Sequence, residues 1–400
     1  MSSKYAYFEN ALNKKLEQNQ YRQLRCIIPM DEANILQNGE KIINFASNDY
    51  LGLSNHPYIK KNTIKYVLQW GAGSTASRWI PGHLQCHQNL EKRLAEMLGS
   101  EKSMLFYSSF QAHFTLLSAL TNARSLVFID KSCHSRLTQN AKVCKGRVIA
   151  FEHNNMQHLQ KLLEKHQKTP ACCKLIISES VFHLDGDRAK LEELAEISKQ
   201  HNALLYIDDS YAFGVLGSFG KGLAAQRKGI DITVGTFGKA CGSFGAFAAC
   251  NELLKEYLLH FSPAFANINA LPPAILGAVD AALDLIPDME TERNHILKTS
   301  HMLKKKLEEE GFQLKDSNSH IISVKMNNNA EMMKSSEFLR QENFLVGAIR
   351  SPAAPDGIPR LKLAVNAELS PKNILDLCAK LKQWKKERGL ADLIVPSMCH

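Results

Sequence analysis

The stretch from Asp231 to Phe247 reads Asp-Ile-Thr-Val-Gly-Thr-Phe-Gly-Lys-Ala-Cys-Gly-Ser-Phe-Gly-Ala-Phe and places Lys239 among closely spaced glycines. Its β-branched run from Ile232 to Val234 is typical of a buried strand. Glycine lets the backbone approach a bulky ligand because it carries no Cβ. A lysine amine in such a pocket loses its proton through desolvation and nearby cations, and it then attacks a carbonyl carbon. A glycine-rich turn with a solvated lysine gives the same pattern, so this stretch alone leaves both interpretations open.

A second stretch, from Ala203 to Gly214, favours the first interpretation. It reads Ala-Leu-Leu-Tyr-Ile-Asp-Asp-Ser-Tyr-Ala-Phe-Gly, an apolar strand that ends in Asp208 and Asp209. Ligands of open α/β sheets lie at the carboxyl ends of strands. A carboxylate there is suited to pair with a protonated ring nitrogen, which pyridoxal phosphate (PLP) needs in order to act as an electron sink. The alternative is a pair of aspartates that cap a helix.

Composition limits the class of protein. The chain has 400 residues, of which 44% are hydrophobic, enough for a large core in two or three domains. Its net charge of +9 comes from scattered lysines and arginines, which suits phosphorylated or CoA-like ligands better than nucleic acid. The ten cysteines show no CxxC spacing, and we expect reduced thiols in a cytoplasmic protein. No apolar run approaches the roughly 20 residues of a membrane span, so we expect no membrane association.

The order of predicted elements indicates an α/β fold. Strands alternate with helices from Met104 onward, which predicts a largely parallel sheet with right-handed crossovers. After Leu271-Pro-Pro273 the pattern changes to long helices and short strands. We therefore predict an N-terminal helical segment (residues 1–50), a large ligand-binding domain (51–289) and a small α+β domain (290–400). The first segment contains a weakly amphipathic helix within residues 4–25, expected to pack on the body of the protein or on a partner chain.

Three other motifs bear on nucleotide, metal or phosphate binding. The small-residue loop from Gly71 to Gly82 lacks the Lys-Ser/Thr ending of a nucleotide P-loop, and no G-x-G-x-x-G joins a first strand to a helix. His83 and His87 have metal-ligand spacing but no third ligand nearby, so we predict no metal site. The turn that carries Ser109 and Phe110 opens a helix, and a helix N-terminus is suited to bind phosphate.

From about residue 40 to 385 the chain resembles the α-oxoamine synthase family of PLP enzymes. The resemblance is carried by motifs that occur in the family's order: Phe45-Ala-Ser-Asn-Asp-Tyr-Leu-Gly-Leu53, His87-x-x-Leu-Glu91, Asp185-Gly-Asp187, Asp208-Asp209, Thr236-Phe-Gly-Lys239 and Leu271-Pro-Pro273. It implies the fold-type I, aminotransferase-like architecture: a large domain with a mostly parallel seven-stranded sheet flanked by helices, and a small C-terminal α+β domain. It also implies a homodimer with shared active sites.

The resemblance implies a role for each motif residue. Lys239 would hold PLP covalently, Asp208 would pair with the pyridine nitrogen, and His134 would stack on the ring as a third catalytic residue. Thr236 and the turn of Ser109 and Phe110 would lie at the phosphate. Substrate contacts are expected from Asn48, from Arg350, which stands beside Pro352 and Pro355, and from Arg360. Arg360 is the expected clamp on the amino-acid carboxylate, because guanidinium binds carboxylate through two parallel hydrogen bonds. A surface strand residue is the alternative interpretation of Arg360.

Three positions depart from the family pattern. His183 stands where the family usually has serine, and Tyr211 stands where it usually has a histidine that contacts the phenolic oxygen of PLP. Asn269 precedes the Pro-Pro pair where serine or threonine is usual, at a phosphate contact contributed by the partner subunit. Histidine and tyrosine retain the ability to hydrogen-bond the phenolic oxygen. We therefore count His183, Tyr211 and Asn269 among the expected cofactor-binding residues and expect the departures to affect substrate choice more than the cofactor.

The C-terminal segment from Gly347 to Leu363 most resembles family members that condense L-alanine with a pimeloyl thioester, on CoA or on a carrier protein, in biotin biosynthesis. The resemblance leaves two other pairs open: glycine with acetyl-CoA, as in 2-amino-3-ketobutyrate ligase, and serine with a long acyl-CoA. Glycine and alanine differ by one methyl group, which a pocket distinguishes by only about 1–3 kcal/mol. A PLP-fold binding protein without catalysis is an alternative of another class, because of the three departures.

Overall fold

The computed structural model describes residues 4–18, 20–21, 23–30, 33–262, 265, 267–351, 354 and 356–394. The chain divides into two compact units, one of residues 48–297 and one that combines residues 1–47 with residues 298–400. This division differs from the three predicted domains, because the N-terminal segment and the C-terminal part belong to one unit. The physical reason is strand pairing: Phe344 pairs in parallel with Ile43, and the Ala364 amide donates to the Phe45 carbonyl at 2.8 Å.

The elements have the following bounds. The helices are α1 (Ala6–Glu17), α2 (Pro57–Trp70), α3 (Gln85–Leu98), α4 (Ser109–Leu120), α5 (Ser135–Val143), α6 (Met156–Lys165), α7 (Leu191–Gln200), α8 (Glu252–Phe261), α9 (Pro273–Leu285), α10 (Glu290–Glu309), α11 (Asn329–Gln341) and α12 (Pro371–Ile394). The strands are β1 (Ile28–Pro29), β2 (Asn34–Gln37), β3 (Glu40–Asn44), β4 (Lys102–Phe106), β5 (Leu126–Asp130), β6 (Arg147–Phe151), β7 (Lys174–Glu179), β8 (Leu204–Asp208), β9 (Ile232–Thr236), β10 (Ala246–Cys250), β11 (Ile321–Lys325), β12 (Phe344–Leu345), β13 (Gly347–Ile349) and β14 (Arg360–Ala364).

The unit of residues 48–297 is built on one mixed sheet. Within the described residues its seven strands lie in the order β4-β10-β9-β8-β7-β5-β6. Strand β10 is antiparallel to both neighbours, and the remaining pairs are parallel. The central strands are buried along nearly their whole length, because helices cover both faces of a parallel sheet. The predicted seven-stranded, mostly parallel sheet is confirmed.

The carboxyl ends of the parallel strands position the site. Polar residues end four of these strands: Asp130 in β5, Glu179 in β7, Asp208 in β8 and Thr236 in β9. Parallel strands present these ends at one edge of the sheet, where open α/β folds bind ligands. Of the side chains predicted to bind PLP, Asp208 and Thr236 lie at this edge, and His134, His183, Tyr211 and Lys239 lie in the segments that follow these strand ends.

The unit of residues 1–47 and 298–400 contains two small sheets, with strand orders β1-β2-β3-β12 and β11-β14-β13. The predicted N-terminal helix exists as α1, but none of its residues is buried, so packing on a partner chain stays a prediction. Across the part of the chain that the structure describes, no helix is both long enough and apolar enough to cross a membrane.

Candidate active site

Lys239 lies in the tight turn that connects β9 to β10. Its side chain is buried, at 5% exposure, although lysine is normally solvated. The Gly242 amide donates to the Lys239 carbonyl at 2.8 Å and closes the turn. The Lys239 amine lies 4.0 Å from the centre of the Tyr211 ring, over its face. The turn thus holds a lysine amine inside the protein at the carboxyl edge of the sheet, which excludes the solvated surface lysine.

Two glycines near Lys239 are required for packing within the protein, whereas the sequence pattern indicated the approach of a ligand. A Cβ on Gly235 would lie 2.3 Å from Cζ of Phe247, and one on Gly242 would lie 2.2 Å from the amide nitrogen of Ser54. Real Cβ contacts are never this short, so these two positions require glycine for packing against the protein itself. Gly242 also has a φ of +59°. Close approach of a ligand is not needed to explain them.

Asp208 presents an ionised carboxylate at the end of β8. Nε2 of His113 lies 3.0 Å from Oδ2, and the Ser210 amide donates to Oδ1 at 2.9 Å. The guanidinium of Arg136 lies 4.0 Å from Oδ2. Burial by itself would raise the pKa of Asp208, but His113, Arg136 and Lys239 outweigh burial and hold this pKa well below its usual range. The side chain is therefore a buried anion suited to pair with a protonated ring nitrogen.

The side chain of Asp209 has a structural role that differs from that of Asp208. Its carboxylate accepts hydrogen bonds from the amides of Leu223 (3.2 Å) and Ala224 (3.3 Å), which tie a following loop to the strand end. Burial raises the pKa of Asp209 to about 7, opposite in direction to the shift at Asp208. The two adjacent aspartates thus have separate tasks, and neither caps a helix.

Glu179, at the end of β7, fixes two histidines. Its Oε1 accepts the backbone amide of His134 at 2.6 Å, and its Oε2 accepts the backbone amide of His183 at 2.8 Å. The two imidazole rings lie with their centres 4.2 Å apart. Burial, together with Coulomb interactions with His183 and Arg136, lowers the pKa of His134 to about 2, so this imidazole is neutral. Its Nδ1 accepts the Arg136 amide at 3.1 Å, which leaves the proton on Nε2.

Tyr211 completes the aromatic group around Lys239. Its ring centre lies 6.3 Å from that of His183. Burial raises the pKa of Tyr211 well above its usual range, so the hydroxyl stays protonated and is suited to donate a hydrogen bond. The two departures from the family pattern, His183 and Tyr211, therefore lie together, next to the residues that the family shares.

Two of the residues predicted to bind the phosphate lie at the start of helix α4. Ser108 caps this helix by accepting the Gln111 amide at 3.2 Å, and Ser109 is buried in its first turn, whereas Phe110 is exposed. Thr236 donates its hydroxyl proton to the Gly245 carbonyl at 2.9 Å and accepts the Gly238 amide at 3.2 Å, both within the turn. Asn269 is exposed and pairs as an isolated bridge with Ser77. Phosphate binding by Ser109, Phe110, Thr236 and Asn269 stays a prediction.

The expected substrate residues divide between the two units. Asn48 is exposed and accepts the Tyr50 hydroxyl at 3.0 Å. Arg360 begins β14 and is completely buried, which excludes a surface strand residue; its guanidinium binds Asp356 and donates to the Ile358 carbonyl at 3.1 Å. Arg350 is half-buried and donates to the Tyr21 carbonyl at 2.7 Å. Its neighbours Pro352 and Pro355 lie outside the described residues. Substrate binding by these three residues stays a prediction.

A charged cluster supports the loop that carries His183. Nδ1 of His153 lies 3.0 Å from Asp130, and Nε2 lies 2.9 Å from Asp187 of the Asp-Gly-Asp motif. Burial would lower the pKa of His153, but the two carboxylates raise it to about 10, so the imidazole is charged at neutral pH. The ring also packs edge-on against Phe182, with centres 4.4 Å apart.

Sequence reasoning missed His113, Arg136 and Glu179. Glu179 had a usable signal, since it is an acidic residue at the end of an apolar strand, as Asp208 is. His113 and Arg136 lie within helices α4 and α5, and nothing in the pattern of those helices distinguishes them from ordinary polar positions.

Comparison with known proteins agrees with this geometry. A model of the aminotransferase class I and II family matches residues 40–381. A Desulfosudis oleivorans protein, provisionally named 8-amino-7-oxononanoate synthase, is 36% identical over 384 residues, covering 96% of this chain and all of the relative. The 8-amino-7-oxononanoate synthase of Trichlorobacter lovleyi is 34% identical over 388 residues, covering 95% of this chain and 98% of the relative. The chain belongs to the α-oxoamine synthases of the aminotransferase class I and II family.

Solved structures with this fold include other α-oxoamine synthases. The serine palmitoyltransferase of Sphingomonas wittichii superposes with a TM-score of 0.89 at 25% identity, covering 97% of this chain and all of that one. The 8-amino-7-oxononanoate synthase of Francisella tularensis superposes with a TM-score of 0.75 at 23% identity, covering 87% and 98%. The fold-type I architecture is confirmed, and this α-oxoamine synthase is a PLP-dependent acyltransferase.

The residues at the sheet edge fit PLP. The cofactor presents a ring N–H together with anionic oxygens, and it needs one acceptor and several donors. Asp208 is the buried acceptor. Among the described residues, Nε and Nη2 of Arg136 and the hydroxyls of Ser210 and Ser243 are buried polar groups without a hydrogen-bond partner. Buried donors of this kind are normally satisfied, so a bound anionic group accounts for them. Donors and acceptor thus match the cofactor that the family uses.

Proposed function

We propose that this α-oxoamine synthase condenses L-alanine with a pimeloyl thioester, carried on CoA or on a carrier protein, and releases CO2 and the free thiol to form 8-amino-7-oxononanoate for biotin synthesis. We propose further that it works in the cytoplasm as a homodimer with shared active sites. The observation that carries the reaction type is the pair of a buried lysine amine, Lys239, and a buried ionised carboxylate, Asp208, at one edge of the sheet. The substrates are supported by the names of relatives that match nearly the whole chain.

The contacts of the side chains support the following proposed roles. PLP, when bound, supplies an electron sink that stabilises negative charge on the amino-acid Cα. Lys239 would hold the cofactor covalently, and its amine, once free, would remove the Cα proton and return a proton at the end. Asp208 would keep the ring nitrogen protonated. His134, neutral and held by Glu179, would lie against the ring, and the protonated hydroxyl of Tyr211 would donate to the phenolic oxygen, where a histidine is usual.

The amino-acid carboxylate requires a fixed cation, because its position decides which Cα bond breaks. Arg360 is supported for this role by its burial and by its attachment to Asp356, which Lys315 also binds at 2.7 Å. A guanidinium held in this way loses little side-chain entropy when it binds a second carboxylate. Arg350 is half-buried and donates to the Tyr21 carbonyl at 2.7 Å, and we propose that it serves the thioester side of the reaction.

Serine with a long acyl-CoA is the second candidate, favoured by the higher TM-score to the serine palmitoyltransferase structure. A matrix of purified protein with alanine, glycine and serine against pimeloyl, acetyl and palmitoyl thioesters, assayed by release of free CoA, decides between them. The proposal expects the highest kcat/KM for alanine with pimeloyl-CoA or its carrier-protein form. A maximum for serine with palmitoyl-CoA, or for glycine with acetyl-CoA, would replace the substrates and keep the reaction. PLP binding without CoA release in any pair would indicate a binding protein that lacks catalysis.

A further inference from the structure

His113 links two residues of β8. Its Nδ1 lies 2.7 Å from the hydroxyl of Tyr206, and its Nε2 lies 3.0 Å from Oδ2 of Asp208. All three side chains are buried, with exposures of 0%, 0% and 2%. Residues two apart on a strand lie on the same face, about 6.6 Å from each other. An imidazole from α4 reaches both, because its two nitrogens point in opposite directions.

One arrangement of protons gives each polar atom of this group a hydrogen-bond partner. Asp208 is ionised and only accepts hydrogen bonds, so Nε2 of His113 must carry a proton. Burial and the nearby charge of Asp208 raise the pKa of Tyr206 well above its usual range, so its hydroxyl keeps its proton. Donation of that proton to Nδ1, together with donation from Nε2 to Asp208, satisfies both ring nitrogens. A proton on Nδ1 alone would face Asp208 with a lone pair and leave a buried acceptor against an anion.

The two oxygens of Asp208 are held by different donors. Oδ1 accepts the Ser210 amide at 2.9 Å, and Oδ2 accepts from His113. Two donors on separate oxygens fix the rotation of the carboxylate about its Cβ–Cγ bond. The guanidinium of Arg136 lies 4.0 Å from Oδ2, beyond hydrogen-bond range, and its Nη2 has no hydrogen-bond partner. Without the N–H of His113, a direct contact from Arg136 would turn the carboxylate away from its present orientation.

We infer that His113 is a positioning residue for Asp208: it delivers one N–H to Oδ2, Tyr206 fixes the tautomer that makes this possible, and together they keep the carboxylate oriented and weakly basic. The inference rests on the proposed pairing of Asp208 with the cofactor's ring nitrogen. A weakly basic carboxylate leaves the shared proton on the ring nitrogen, where it is needed. Loss of the His113 N–H makes Asp208 more basic and moves that proton from the ring nitrogen toward the carboxylate.

The test uses full-length protein loaded with PLP that carries 15N at the ring nitrogen, and reads the protonation of that nitrogen by NMR. His113→Phe removes the donor. His113→Gln restores a donor near the position of Nε2, and Tyr206→Phe removes only the hydroxyl. Tyr66→Phe, which deletes a hydroxyl bound to Asp280 at 2.8 Å, is the matched control. We expect His113→Phe to shift the 15N signal toward unprotonated pyridine and to lower kcat about 10- to 100-fold with unchanged KM values, as loss of a hydrogen bond to a charged group predicts.

The other variants separate positioning from folding. We expect His113→Gln to recover the signal and most of kcat, and Tyr206→Phe to lower kcat about 2- to 10-fold in the same direction, as loss of a neutral hydrogen bond predicts. If His113→Phe does not fold, the 15N signal and kcat are compared among Tyr206→Phe, His113→Gln and the parent protein instead. A parent-like 15N signal and kcat in His113→Phe, or in Tyr206→Phe when only that variant folds, would overturn the inference. An unchanged 15N signal in Asp208→Asn would instead overturn the role proposed for Asp208.

Discussion

Removal of the Glu179 carboxylate should disturb two parts of the site at once. This side chain is 1% exposed and accepts the backbone amides of both His134 and His183. Glu179→Gln keeps the volume but turns an NH2 group toward one of these donors, so one hydrogen bond to a charged acceptor is lost. Such a bond contributes about 1.5–3 kcal/mol. Glu179→Ala leaves two buried N–H groups unpaired at about 1–3 kcal/mol each, or about 2–6 kcal/mol in total.

The assay is urea unfolding together with titration of PLP into the cofactor-free protein. We expect the free energy of unfolding to fall by these amounts. We expect PLP affinity to fall more in Glu179→Ala than in Glu179→Gln, because displaced backbone at residues 134 and 183 moves both imidazoles. Glu196→Gln, an exposed change on α7, is the control and should leave both quantities unchanged. If both Glu179 variants have the same unfolding free energy and the same PLP affinity as the control, the reasoning that these two hydrogen bonds hold the site is refuted.

Three further predictions follow from the site. Asp208→Asn should retain some PLP and lose orders of magnitude in turnover, whereas Asp209→Asn should lose far less; the reverse order in a steady-state assay would exchange their roles. Arg360→Lys should raise the amino-acid KM markedly and leave the thioester KM nearly unchanged, because the bidentate contact is lost; a raised thioester KM alone would make Arg350 the clamp. The raised pKa of His153, about 10, means that its ion pairs stabilise the fold fully below its ordinary value of 6.5 and progressively less as pH rises from there to about 10. The Tm difference between parent and His153→Gln should therefore shrink across that window, and a constant difference would contradict the charged state of His153.

The sequence predicted the architecture where patterns were strong. The apolar runs before Asp208 and Lys239 are the strands β8 and β9, and the alternation of strands and helices from Met104 onward is present in the structure. The strand Ala246–Cys250 was not predicted, because its alanine-rich sequence has a low intrinsic preference for β structure and is a strand only through pairing with β4 and β9. The pairing of β3 with β12, which joins the N-terminal segment to the C-terminal part, was not predictable, because it connects residues 301 apart (Ile43 with Phe344) and leaves no local signal.

The site was predictable only in part, for similar reasons. Asp208 ends strand β8, and Lys239 lies three residues after the end of β9. Both side chains are buried because they lie at the ends of buried strands. The contacts of His113, Arg136 and Glu179 depend on which helix or strand lies beside which, and a single sequence does not specify this. Gly235 and Gly242 accommodate Phe247 and Ser54, a packing requirement that the sequence did not indicate, whereas ligand approach at Gly238 stays a prediction.

The most direct test of the account is the site of covalent attachment of PLP. The purified protein is incubated with PLP, reduced with borohydride, digested, and examined by mass spectrometry for a phosphopyridoxyl group on each lysine. The account predicts the group on Lys239, together with loss of both the label and turnover in Lys239→Ala. A label on another lysine, or turnover that survives in Lys239→Ala, would contradict the assignment of this turn as the centre of the active site.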